Sequence, residues 1–152
     1  MGTAQVTEFP PLRYTSKDYE SANANCGVAA LAAFLGKTLD EALALLPDFK
    51  KNVSQEMMEK ALTLAGHKWE ARRCLRPSHG LAIVRVDGPW SQDEAPGHWI
   101  ATSGKKVFDS RAIESGWLPV EEWGTRVFPR LAATFPGATG KCWISYGIEI
   151  EE

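Results

Sequence analysis

Residues 26–35 read CGVAALAAFL, ten positions without a single charged side chain. Val28, Leu31, Ala32 and Leu35 recur at helical spacing, and the residues between them are apolar or small too. A helix apolar on all sides has to be covered on all sides. Ten residues fall well short of the roughly 18 a membrane span needs. The segment therefore predicts a central buried helix that the rest of the fold encloses. Asn25 suits its N-cap, and Gly36 suits its C-terminal stop. The first residue inside this helix is Cys26.

The residues that follow supply the enclosure. Thr38 and Glu41 make a capping box for a second helix, with Leu39, Ala42, Leu43 and Leu46 as its apolar face and Pro47 as its end. A third helix is expected from about Ser54. Met57, Met58, Ala61, Leu62 and Ala65 face inward, and Gly66 closes it. Beyond Lys68 the period shifts toward two. Lys68 to Arg72, Leu81 to Val86, His98 to Thr102, Lys105 to Asp109 and Trp143 to Ile150 read as strands. Residues 119–133, after Pro119, read as a short helix and loop. Helices first and an antiparallel sheet second define an α+β fold. At 152 residues the chain is expected to be a single domain, with residues 1–17 an irregular lead-in.

Composition narrows the functional classes. Six Trp, six Phe and three Tyr are too many aromatics for a disordered chain. With 17 Lys and Arg against 19 Asp and Glu, the net charge of −2 argues against a nucleic-acid partner. The N-terminal residues lack the basic flank and apolar core of a secretory signal. Three cysteines, an odd number, do not make a disulfide framework, so a reducing, cytoplasmic setting is expected, with no membrane insertion.

Cys26 carries the chemistry. The first turn of a helix presents unpaired N–H groups and the positive end of the helix dipole, which stabilise a thiolate. Gly27 leaves the approach to the sulfur open, and the Cys26 amide could face an oxyanion. A cysteine nucleophile needs a base, and the base needs an orienting partner. His98 and Asp109 can fill both roles. A turn at Ser103-Gly104 puts them directly opposite on neighbouring strands. A turn at Gly104-Lys105 leaves them diagonal on the same face. Either register permits a hydrogen bond. Trp99, Ala101 and Phe108 fall on the other face, which suits packing on a core.

NANCGVAALAAFLG resembles the nucleophile helix of papain-like cysteine peptidases, above all the compact bacteriocin-processing peptidase domains of peptide-exporting ABC transporters. GHWIATSGKKVFDS is similar to their His and Asp strands, and LPVEEW to the short helix that follows. There is also similarity to Josephin-type ubiquitin hydrolases. The resemblance spans roughly residues 18–150 and implies a papain-like fold, with a helical part carrying the nucleophile packed on an antiparallel sheet. It implies Cys26 as nucleophile, His98 as general base and Asp109 as orienter, acting on a peptide or protein substrate without a cofactor. The short separation of Cys26 and His98, against roughly 130–150 residues in papain itself, fits the compact members. The family places an oxyanion-stabilising Gln six residues before the Cys, where this chain has Glu20. An ionised carboxylate cannot donate, so Asn23 or Asn25 is expected to substitute. Gly97 and Trp99, flanking the base, join the expected substrate-binding set.

Cys74 and Cys142 lack the paired spacing of metal ligands with each other, His67 or His79, and no metal site is expected. Trp90, Trp99, Trp117 and Trp123 are candidates to line a cleft near His98. Two other readings stand beside the peptidase or isopeptidase: an amidase or acyl transferase using the same three residues, and an inactive peptide-binding module, which Glu20 favours.

Overall fold

A computed structural model describes residues 26–50, 53–72, 79–89, 97–103, 105–109, 117–127, 137–139 and 142–151. Three helices come first: α1 (Cys26–Leu35), α2 (Leu39–Ala44) and α3 (Gln55–Leu64). The strands are β1 (Trp69–Arg72), β2 (His79–Val86), β3 (Gly97–Ser103), β4 (Lys106–Phe108), β5 (Trp117–Pro119) and β6 (Cys142–Ile150). One helical turn, α4 (Val120–Glu122), follows β5 and continues as a π-helical turn over Trp123–Val127. These strands form one antiparallel sheet in the order β1-β6-β2-β3-β4-β5. The architecture is α+β.

The helix boundaries follow from local chemistry. Lys37 N–H bonds Ala32 O at 2.9 Å, with Gly36 at φ 66° between them, so α1 ends in a Schellman turn. Thr38 and Glu41 form the reciprocal capping box of α2. Ser54 caps α3 by accepting from the Met57 amide, and Gly66, at φ 87°, closes it. Of the expected inward residues of α3, Met58, Ala61 and Leu62 are buried, while Met57 and Ala65 are only half-buried.

The centre of the sheet is buried on both faces. On one side α1, α2 and α3 pack on Leu81, Ile83, Trp99, Ala101, Phe108, Ile148 and Ile150. On the other, Ala82, Val84, Val86, Ile100 and Val107 meet Leu118 and Trp123. This is why β2 reads as a nearly unbroken apolar run instead of alternating. A β-bulge at Ser145 shifts the register of β6 against β2 between Ile83 and Val84.

Residues after Pro119 do turn into a short helix, but Trp117–Pro119 is first a strand. Leu118 pairs with Val107 and fills the second core, and the Trp117 ring meets Phe108 edge-on at 6.2 Å. Strand β2 also begins earlier than its apolar run, at His79. Gly80 extends it because the Ile148 carbonyl lies where a side chain would stand, 1.9 Å from an ideal Cβ. The lead-in, the loop over 90–96 and the turn residue Gly104 lie outside the described residues.

Gly80→Ala should destabilise the chain by about 3 kcal/mol, since neither backbone can yield cheaply. Urea unfolding measures this. A midpoint unchanged from the wild type would mean that β2 and β6 are not this close at Gly80.

Candidate active site

Three elements converge on one point. Cys26 opens α1, His98 is the second residue of β3, and Asp109 follows β4 directly. Ser103 pairs with Lys106 and Ala101 with Phe108, which is the register of the Gly104-Lys105 turn. His98 and Asp109 are therefore diagonal neighbours on one face, and His98 Nε2 lies 2.5 Å from Asp109 Oδ1. Nε2 is engaged there, and Cys26 lies close enough to the same imidazole for each to shift the other's titration.

Cys26 and His98 come from different layers, and they meet because β4 is short. It pairs with β3 only over Ala101–Ser103. At Trp99 the β3 amide donates instead to Cys26 Sγ, at 3.3 Å. The helix is pinned there by the Trp99 side chain, 5% exposed, whose Nε1 donates to Val53 O at 2.8 Å. An ideal Cβ on Gly27 would stand 2.6 Å from Val53 Cβ and 3.1 Å from Trp99 Cδ1. Close packing of α1 against Val53 and Trp99 is thus a second physical reason for Gly27, beside the approach to the sulfur expected from its position.

Burial sets the electrostatics. By itself it pushes the Cys26 thiol up, but the hydrogen bond and charge of His98, with the Trp99 amide, outweigh it, and the thiol titrates below its usual 9.0. Burial pulls His98 down, yet the Asp109 charge and hydrogen bond and the Cys26 contact raise it from 6.5 to about 10. Both directions favour a proton on the imidazole over one on the sulfur. Asp109 is 1% exposed and His98 6%, so water screens these two groups little, while Cys26 is half-buried.

The other candidates are placed as follows. Trp99 lies in the core, and it is its backbone that reaches the sulfur. Gly97 is exposed at the start of β3, paired with Arg85. Trp117 packs on Phe108. Glu20, Asn23, Asn25, Cys74 and Trp90 lie outside the described residues, and Cys142 sits on β6. Trp123, considered only as a cleft residue, is buried and donates from Nε1 to Asp109 Oδ2 at 2.8 Å. Only its place shortly after a proline in an apolar segment hinted that it would return to the sheet. Among the described residues no group of three or more His, Cys, Asp and Glu is placed to hold a metal ion, and no helix is long and apolar enough to cross a membrane.

No family model matches the chain, and no curated protein matches it. Among solved structures it is similar to the peptidase domain of Streptococcus ComA, a bi-functional ABC transporter involved in a quorum-sensing pathway. The two share 13% identity at a TM-score of 0.44, over 83% of this chain and 90% of that one.

His98→Gln removes the main source of thiolate stabilisation and leaves the burial penalty. The alkylation of Cys26 by iodoacetamide, followed by peptide mass spectrometry across pH, should then shift from below 9.0 in the wild type to 9.0 or above. Equal profiles for the two proteins would refute the ion pair.

Proposed function

We propose that this chain is a cysteine peptidase or isopeptidase in which Cys26 is the nucleophile, His98 the acid and base, and Asp109 the orienting residue. The observation that carries the reading is the buried His98, with Nε2 2.5 Å from Asp109 Oδ1 and the ring close enough to Cys26 for each to shift the other's titration. Nucleophile, base and orienter are held in the relation that acyl transfer needs. The resemblance of the Cys26 helix and the His98 and Asp109 strands to papain-like peptidases supports the same assignment.

In this scheme the Cys26 thiolate attacks the scissile carbonyl carbon and the carbonyl oxygen becomes an oxyanion. The Cys26 amide, in the first turn of α1, would face that charge. As the intermediate collapses, the C–N bond breaks and His98 gives its proton to the departing amine. A thioester on Cys26 remains. His98, now neutral, takes a proton from water as the water oxygen attacks the thioester. The C–S bond breaks, the acid product leaves, and thiolate and imidazolium are restored. Asp109 stays ionised and holds the ring. No step draws on a cofactor.

The alkaline side distinguishes this cycle from a simple thiol reaction. Peptide hydrolysis should rise as Cys26 ionises below pH 9.0 and fall near pH 10 as His98 loses the proton the amine needs. Thiol alkylation has no such alkaline loss. Cys26→Ala should abolish turnover, and His98→Gln should lower kcat/KM by ~10²–10⁴-fold. Peptidyl and isopeptide electrophiles that fail to modify Cys26, while iodoacetamide succeeds, would sink the peptidase reading.

A further inference from the structure

The Asp109 carboxylate has two oxygens, and the fold assigns each a separate donor. Oδ1 faces His98 Nε2 at 2.5 Å, and Oδ2 accepts from Trp123 Nε1 at 2.8 Å. A carboxylate can turn about its last side-chain bond, and a single contact to imidazole does not stop it. A second donor on the other oxygen does. We propose that Trp123 is a positioning residue, its indole N–H holding the Asp109 carboxylate in the orientation that aims the His98 ring at Cys26. This inference rests on the peptidase reading for its kinetic consequences but not for its geometry.

The placement of Trp123 is itself held from several sides. Leu118 pairs with Val107, the Val120 amide donates to Lys105 O at 2.9 Å, and the Trp123 ring is buried against the second core. Trp123 also begins the π-helical turn, a local geometry that often marks a functional site. A tryptophan needed only for packing could place its N–H anywhere. Here the N–H ends on the charged group behind the base, and that group is 1% exposed. The same contact stabilises the ionised form of Asp109 and so maintains the charge that keeps His98 protonated. The titratable groups in the chain of contacts are Cys26, His98 and Asp109, and Glu121 and Glu122 flank Trp123 on its own segment.

The test replaces the N–H without removing the ring. Trp123→Phe and an isosteric benzothiophene analogue of tryptophan at position 123 both lack the donor, whereas Trp123→His can restore one. Cys26 alkylation against pH is read by mass spectrometry, with thermal melting alongside. The thiol titration should move up by about one unit in both donor-free variants and return part way in Trp123→His. With a peptide substrate, kcat should fall by about tenfold while KM stays within about twofold. An unchanged titration in the benzothiophene protein overturns the proposal, whatever Trp123→Phe does, because packing alone would then explain Trp123. A shifted titration in a protein that cleaves no peptide upholds the positioning role and removes the peptidase reading.

Discussion

The buried His98 is the constraint around which the site is arranged. A charge on a group 6% exposed is costly unless it is neutralised and hydrogen-bonded, and this ring lies against the Asp109 carboxyl and near the Cys26 sulfur. Asp109 is buried and Cys26 half-buried, and each has a further donor. The Trp99 amide serves the sulfur, and Trp123 serves the far oxygen of Asp109. Removing any one partner leaves another buried charge uncompensated, so the contacts act as a unit. Replacing all three groups by apolar residues of similar volume would cost little stability or even add some.

The sheet solves a geometric problem for this unit. His98 and Asp109 share one face of the sheet, and α1 covers the other. A complete β4 would wall off the helix from the histidine. β4 stops at Phe108, and at residue 99 the β3 amide meets the Cys26 sulfur. The residue after the strand, Asp109, meets His98. A short strand thus provides both the opening and the orienting group.

Much of this was readable from local signals. The start and stop of α1, the capping box of α2 and the two alternative hairpin registers all depend on residues within a few positions of one another. The observed register is one of those two. What escaped the sequence depends on long-range contacts. Pairing of Leu118 with Val107 turns Trp117–Pro119 into a strand, and only that pairing delivers Trp123 to Asp109. Gly27 was read by its neighbour in sequence, the sulfur, whereas its physical constraint comes from Val53 and Trp99 across the core. The second core was missed for the same reason: alternation in β3 identified one apolar face, and the segment that buries the other lies some twenty residues downstream.

These facts give the apolar run of α1 a second meaning. Ala29, Ala30, Ala32 and Ala33 are fully buried, and small side chains let a helix lie close to a sheet. That closeness is what brings Sγ within 3.3 Å of the Trp99 amide. Larger residues at the same positions would still be apolar and would still form a helix, but they would lift α1 off β3. A shift of one ångström would cost little burial and would take the thiolate out of reach of its donors, whose strength falls steeply with distance and angle. Hydrophobicity explains why the helix is inside. The small size of its residues explains why Cys26 sits where a thiolate can be held.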